Sequence, residues 1–258
     1  MNTSCYDKPE YYEVAFSFRD ISAEVRVIQT LISDYAQCDV KRIMQLACGP
    51  SQHMLTLNKA GFDYIGVDIN SAMIDYSSQL AQKHGVNAEF YQQDMVRYRV
   101  DTPVDCVFIA LGDLYVTSTN ELRMLFDSVA NSLNVGGLFL LDWCVQFQPE
   151  RFFDATGQTW SISKDAVRID SLVEMRPLDR VEQTFQETLT MNIHEGDRHT
   201  RLESASQKRA IFPQEFLMLV ESSKTFEFIG WWNNWNLSQP ISAATIDFFR
   251  PITLLRRI

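Results

Sequence analysis

The sequence predicts an α/β protein built on a doubly wound, mostly parallel sheet of seven strands, with an antiparallel β insertion that forms a cap. Three observations carry this. Residues 43–53 read IMQLACGPSQH and, after a helix-length gap, residues 64–70 read YIGVDIN. An apolar run closed by a small-residue turn, a helix, and a second apolar run closed by an aspartate is how a nucleotide-binding βαβ unit is written. Strand-like and helix-like runs then alternate to about residue 149, whereas residues 160–211 show partial period-two alternation with turn signals.

The chain has 258 residues, 46% of them hydrophobic, enough for a sizeable core in one α/β domain with an insertion. Its 23 Lys and Arg stand against 33 Asp and Glu, a formal charge of −10, which disfavours nucleic acid because phosphate binding rests on basic side chains. The five cysteines are scattered, with no CxxC pair and no histidine at zinc-ligand spacing, as expected of reduced thiols in a cytoplasmic protein. The N-terminus lacks a basic segment followed by an apolar core, and no run of about 18 apolar residues occurs, so neither secretion nor a membrane span is expected.

In chain order, residues 6–18 are aromatic-rich, and Pro9 argues against an early helix. Ile21, Val25, Ile28, Leu31, Ile32 and Tyr35 have helical spacing, with Asp20 or Ser22 as N-cap. Residues 41–47 are the first strand, Gly49-Pro50 opens a helix to about residue 60, and Gly61 stops it. Residues 63–69 are the second strand, and 71–84 a helix capped by Ser71 and stopped by Gly85. Residues 88–92 and 104–111 are the third and fourth strands, the latter containing the continuous run DCVFIAL of a strand covered on both faces. A helix over 120–133 turns at Asn134-Val135-Gly136-Gly137 into a fifth strand, 138–143. Runs 160–174, 180–193 and 198–211 form the insertion, with a hairpin turn at 194–197. Pro213 starts a helix, and strands at 225–232 and 250–257 return to the main sheet. The division is 1–40 as flap and helix, 41–149 with 212–258 as the cofactor-binding domain, and 150–211 as the cap.

An α/β sheet binds ligands beyond the carboxyl ends of its strands, where small turn residues and a helix N-terminus present backbone N–H groups. Ala47, Cys48, Gly49 and His53 are placed for that, and Asp68, 19 positions after Gly49, is spaced to accept from both hydroxyls of a ribose. The plainer alternative is a tight turn at Gly49 and a helix cap at Asp68. The turn reads ACGPSQ and not GxGxxG, which disfavours a dehydrogenase.

The motif resembles that of the class I S-adenosylmethionine-dependent methyltransferases, in particular the small-molecule branch whose first motif reads LACGPG followed one residue later by His. GVDIN, QDM, LGDLYV, NVGGLFLLDW, FPQEFLMLVE and FEFIGWW follow in matching order, so the resemblance covers roughly residues 11–257. It implies a Rossmann-like methyltransferase fold with S-adenosylmethionine as cofactor. It further implies that Ala47, Cys48 and Gly49 pass along the methionyl and ribose part and that Asp68 holds the ribose. Ile69 and Met73 would pack near the adenine, Asp94 and Met95 read its edge, and Leu111 and Gly112 lie under the sulfonium, with Asp113 and Tyr115 facing the acceptor. Two departures stand out: Gln45 replaces the usual Asp or Glu, and Ser51 replaces a glycine. An amide can accept from the cofactor's ammonium but carries no charge, so weakened affinity is expected.

Such enzymes use an aromatic N-terminus as a flap, which offers Tyr11, Tyr12 and Phe16, with Arg19 as partner of the cofactor carboxylate; packing of the first helix is the alternative role. Trp143 at a strand end is expected to look into the cleft, and Trp231, Trp232 and Trp235 to be core or dimer contacts. Of four histidines, His194 and His199 flank a hairpin tip as solvated residues, His84 ends a helix, and His53 alone has a cofactor-side position. No Asp/Glu/His cluster suggests a metal. Alignment of reactants supplies about 7–11 kcal/mol and a base about 10²–10⁴-fold, so in-line methyl transfer needs no strong base. Where deprotonation is required, Tyr115, Tyr12 and Asp113 are the catalytic candidates. The expected activity is N- or O-methylation of a small-molecule acceptor, in a protein for which a homodimer is among the arrangements considered. The alternatives are a cofactor-binding relative that catalyses another reaction, such as a cyclisation, and a non-catalytic partner protein.

Overall fold

The computed structural model describes residues 4–152 and 154–258, apart from the side chain of residue 151. A 3-10 turn, Cys5–Asp7, leads into α1, Pro9–Ala15. The expectation that Pro9 discourages a helix is overturned: Pro9 sits in the first turn, where its missing N–H has no intrahelical partner to lose. Helix α2, Ile21–Tyr35, is capped by Asp20, whose Oδ1 accepts from the Ala23 amide at 2.8 Å.

Next come β1, Arg42–Leu46; α3, Met54–Lys59; β2, Asp63–Asp68; α4, Ser71–His84; β3, Ala88–Gln92; β4, Val104–Ile109; α5, Thr119–Ser132; and β5, Leu133–Asp142. Helix α3 starts later than expected, because residues 47–53 make turns. The cap of α4 is Asn70, not Ser71. Gly136-Gly137 is no turn but part of β5, and the glycines serve close approach. A Cβ on Gly136 would lie 2.9 Å from the Gln37 carbonyl carbon, and one on Gly137 2.6 Å from the Asp105 carbonyl oxygen.

The insertion has four strands, not three: β6, Thr156–Lys164; β7, Val167–Asp179; β8, Thr184–Glu195; and β9, Arg198–Arg209. The run expected as one strand is split by a turn at Asp165, whose φ is 54°. Helix α6, Pro213–Ser223, and strands β10, Phe226–Trp232, and β11, Ile252–Arg257, complete the chain.

The seven-stranded sheet runs β10-β11-β5-β4-β1-β2-β3, and β11 alone is reversed, antiparallel to both of its neighbours, β5 and β10. Alternate residues feed two cores, as the two-residue period of a strand requires. Met44, Leu46, Val107, Ile109, Phe139 and Leu141 face α5 and α6, where Phe126 and Phe216 are buried. Ile43, Phe108, Leu138 and Leu140 face α2 and α3 with Tyr64. The central strands are therefore covered on both faces, which explains their continuous apolar runs. The cap is a separate antiparallel sheet, β6-β7-β8-β9. Its inner face packs Ile169, Leu189, Met191 and Leu202 against Cys5 and the aromatic residues of α1, and the Trp160 indole N–H donates to the Ala15 carbonyl at 2.7 Å.

Candidate active site

From β1 the sheet grows outward through β2 and β3, then the chain crosses back to β4 on the other side of β1. That reversal opens a crevice beyond the carboxyl ends of β1 and β4, the place where such sheets take ligands. The crevice is bordered by Tyr12, Ala47, Gly49, His53, Leu111 and Asp113, with Gln45 and Arg19 in its wall.

Its backbone is strained where the strands end. Ala47 (φ 48°), Ser51 (53°), Leu111 (56°) and Trp143 (58°) are left-handed without being glycine, alongside Gly49 (51°) and Gly112 (71°). Each such non-glycine residue costs about 1–3 kcal/mol and persists only where its surroundings dictate it. At the ends of β4 and β5 they do: the Leu111 amide donates to Asp142 Oδ2 at 2.7 Å, the Gly112 amide to the Asp142 carbonyl at 2.8 Å, and the Trp143 amide to the Pro251 carbonyl at 2.7 Å.

On the β2 side, Asp68 accepts from the Gly49 amide on Oδ2 at 2.8 Å and from the Asn70 amide on Oδ1 at 2.9 Å. Burial raises its pKa above the ordinary value, against these bonds. The alternative role of Asp68 as a helix cap is overturned, because Asn70 caps α4 and Asp68 instead ties the Gly49 turn to the end of β2. Ile69 beside it is 70% exposed, Met73 and Met95 are buried, and Asp94 caps a turn through the Val96 amide at 2.9 Å.

A nucleoside cofactor ending in an amino acid fits this wall. A Cβ on Gly49 would meet nothing within 4 Å, so its backbone faces open space, and buried His53 leaves Nδ1 without a hydrogen-bond partner. The carboxylate of Asp68 keeps further lone pairs for hydroxyl donors. Gln45 is buried and its Oε1 accepts from the Tyr64 hydroxyl at 2.9 Å.

Behind that wall lies a buried ionic network. Glu24 holds Arg19 through Oε2, Arg250 through Oε1 at 2.6 Å and His53 Nε2 at 2.9 Å. Arg250 also pairs with Asp142 at 2.6 Å, which accepts from the Trp235 indole at 2.9 Å. Burial alone would raise the Glu24 pKa, but His53, Arg19 and Arg250 outweigh it and hold the carboxyl far below its usual range. Burial lowers the pKa of His53 despite Glu24, so the ring is neutral and donates from Nε2. Arg19, expected as partner of the cofactor carboxylate, borders the crevice, and Glu24 and Gln52 already engage its guanidinium.

The opposite wall joins β4, the cap and the N-terminal segment. The Tyr115 hydroxyl donates to Asp113 Oδ1 at 3.2 Å and lies 3.1 Å from the Tyr6 hydroxyl. Buried Lys208 reaches Glu187 at 2.7 Å, the Gly112 carbonyl at 3.3 Å and Asp113 at 3.8 Å, with its Nζ 4.4 Å from the centroid of the Tyr115 ring. Burial pushes the Asp113 carboxyl up to about 7, with Glu187 adding to the rise and Lys208 opposing it. Tyr12 stacks on Phe16 with centroids 4.4 Å apart and meets Tyr6 at 5.9 Å. Asp113 and Tyr115 are therefore in contact, with Tyr12 beside them across Tyr6.

Sequence reasoning did not single out Tyr6, Glu24, Asp142, Glu187, Lys208 and Arg250. Two of them were detectable: Glu187 and Lys208 occupy the inner face of an alternating strand, with Phe185, Leu189 and Leu202, where a charge needs a partner. Among the described residues no three His, Cys, Asp or Glu side chains form a group that could hold a metal ion.

Residues 43–137 match the family described as methyltransferase domain. A curated protein of Geobacillus sp. (strain WCH70) that carries a provisional methyltransferase name is 29% identical over 127 residues. The match covers 49% of this chain and 51% of that protein, so the chain spans about half the length of its curated relative. An S-adenosylmethionine-dependent methyltransferase from Clostridium acetobutylicum superposes with a TM-score of 0.77 at 15% identity, over 98% of this chain and 99% of that one. CalS10 from Micromonospora echinaspora, an amino pentose methyltransferase solved with its cofactor bound, gives 0.70 at 15% identity over 96% and 97%. At such identities the likeness shows the fold, and it is the Rossmann-like fold of S-adenosylmethionine-dependent methyltransferases. The seven-stranded sheet and the antiparallel insertion foreseen from sequence are both present. No helix among the described residues is long and apolar enough to cross a membrane.

Proposed function

We propose that this chain is an S-adenosylmethionine-dependent methyltransferase acting on the nitrogen of a small-molecule amine. The observation that carries this is the presence of two unlike carboxylates beyond the strand ends on either side of β1: Asp68, at the end of β2 and anchored by the Gly49 and Asn70 amides, and Asp113, after β4 in the crevice wall, which burial pushes up to about 7. Residues 41–149 and 212–258 bind the cofactor, 1–40 contribute the flap and 150–211 the cap. Asp68 holds the ribose hydroxyls, with Ala47, Cys48, Gly49 and His53 along the sugar and amino-acid part and Ile69, Met73, Asp94 and Met95 around the base. When bound, the cofactor supplies a methyl group on a positively charged sulfur.

Leu111 and Gly112, fixed by Asp142, set the floor under the reacting centre. Asp113, Tyr115, Tyr6 and Tyr12 receive the acceptor. With Asp113 ionised, the carboxylates of Asp113 and Glu187 outnumber the ammonium of Lys208, so the wall attracts an ammonium group. Asp113 takes one proton from it, which frees the nitrogen lone pair for the methyl group that the cofactor would supply. A carboxyl near pH 7 is matched to an amine and far less to an alcohol. Positioning in a dry site supplies about 7–11 kcal/mol of the barrier reduction. The amino pentose acceptor named for CalS10 is of the same class.

The test is incubation with methyl-labelled S-adenosylmethionine and a small-molecule cell extract, then fractionation of labelled products. A labelled N-methyl compound is expected. Cofactor binding without transfer into any small molecule removes the acceptor assignment, and no calorimetric binding of S-adenosylhomocysteine at millimolar concentration removes the cofactor assignment.

A further inference from the structure

His194 on β8 and His199 on β9 are directly opposed in the ladder, beside the turn at Gly196-Asp197. Their Nδ1 atoms stand 2.8 Å apart, with ring centroids at 4.9 Å and planes at 79°. Two imidazole nitrogens come that close only when they share something, since two lone pairs repel and two N–H groups clash.

The far nitrogen of His194 is committed. Its Nε2 donates to Asp170 Oδ2 at 3.1 Å, while Asp170 Oδ1 is fixed by Ser161 Oγ of the neighbouring β6 at 2.6 Å and by Arg168 Nε of its own strand at 3.1 Å. The proton of His194 therefore sits on Nε2, and its Nδ1 presents a lone pair toward His199. A carboxylate behind the ring is the arrangement that orients metal-ligating histidines and raises their basicity. The spacing also speaks to geometry. Two nitrogens about 2.0 Å from one cation stand about 2.8 to 3.3 Å apart, so a pair already at 2.8 Å through a shared proton needs little movement to chelate.

We propose that His194 and His199 form a two-histidine site for a divalent transition-metal cation, with Asp170 as the orienting residue and water in the open positions. The His194 side chain is 39% exposed, so a hydrated ion can reach it. Binding moves the His199 proton from Nδ1 to Nε2, a tautomeric change with no redox step. The cation ties the end of the β8–β9 ladder. The next residue, Glu195, accepts from the Tyr11 hydroxyl at 3.3 Å, so the clasp steadies the strand end on which α1 rests.

The test uses the full chain, stripped with chelator and titrated calorimetrically with nickel chloride and then zinc chloride; copper(II) is avoided because it can oxidise the half-buried thiol of Cys38. One nickel per chain is expected, bound more tightly than zinc. His194→Ala and His199→Ala should each abolish the heat, and Asp170→Asn should weaken it by about 10–100-fold while leaving both ligands in place. Zinc should also move the imidazole ¹⁵N resonances at Nδ1 and not at Nε2 of His194. A wild-type isotherm indistinguishable from that of the His194→Ala/His199→Ala chain, or ¹⁵N shifts unmoved by zinc, would mean that the pair shares only a proton, and the proposal fails.

Discussion

The two walls of the crevice carry buried ionic networks that differ in charge balance. Behind the cofactor wall, Arg19 and Arg250 face Glu24 and Asp142 around a neutral His53, two positive charges against two negative. On the acceptor wall, Lys208 alone faces Asp113 and Glu187. The first network is neutral with every carboxylate ionised, whereas the second becomes neutral only when one carboxyl takes a proton. A balanced buried cluster resists titration and fixes geometry; an unbalanced one keeps a group poised to exchange a proton near neutrality. Under the proposed roles, holding and reacting are separated by the count of charges on each side.

The largest effect should come from unbalancing the first network. Glu24→Ala leaves two guanidinium groups short of a buried partner, and breaking such a cluster costs about 3–5 kcal/mol, read as a lowered urea midpoint. The two walls should also respond oppositely to pH. Glu24 has a depressed folded-state pKa, so its contribution is present above the ordinary carboxylate range and lost as pH falls below it. Asp113 has a raised one, so its contribution is present below its ordinary value of 3.8 and lost as pH rises through about 7. Urea unfolding between pH 4 and 8 should show the second slope in the wild type and not in Asp113→Asn.

Next in size, Asp113→Asn should lower turnover of the identified amine by about 10²–10⁴-fold while leaving S-adenosylhomocysteine binding within error. Lys208→Met should move the Asp113 titration upward and Glu187→Gln downward, since the lysine opposes and the glutamate favours the rise. Carboxyl ¹³C NMR reads both shifts directly. Shifts in the same direction would show that the cap acts on Asp113 through burial and not through charge.

These networks mark where the sequence ceased to be legible. The sheet was readable because Ile43, Met44, Leu46, Val107 and Phe108 are apolar on both faces of parallel strands, a pattern that burial itself imposes. The turn at Gly49 and the strand end at Asp68 were readable because turn chemistry and strand pattern are local. Glu24 with Arg250 was not, because a contact across 226 positions leaves no local periodicity. The β5 glycines misled for a related reason. Gly136 and Gly137 look like a turn pair, but Gln37 and Asp105, distant in sequence, demand their small size. Pro9 misled because its effect depends on whether it stands inside a helix or at its start.

A smaller effect is expected from packing beneath the cofactor wall. A Cβ on Gly66 would lie 2.8 Å from Phe90 Cδ1 and 2.9 Å from Cys48 Sγ. Gly66→Ala should therefore destabilise by about 1–3 kcal/mol, with cofactor affinity falling because Cys48 must move. The same substitution would leave the Asp113 titration unchanged if the walls are independent.

The smallest effect concerns Gln45, the neutral residue at the edge of the balanced wall. Its Oε1 already accepts from the Tyr64 hydroxyl, so a carboxylate there can keep that bond and offer its second oxygen to the ammonium of the cofactor. A charge-assisted bond in place of a neutral one is worth about 1 kcal/mol more, or roughly five-fold in affinity. Burial at this position, where Gln45 is 4% exposed, offsets part of the gain. Gln45→Glu should tighten S-adenosylhomocysteine binding by less than about five-fold in calorimetry, and Gln45→Ala should weaken it. If Gln45→Glu weakens binding instead, the added charge has upset a wall whose neutrality matters more than one further bond to the ligand.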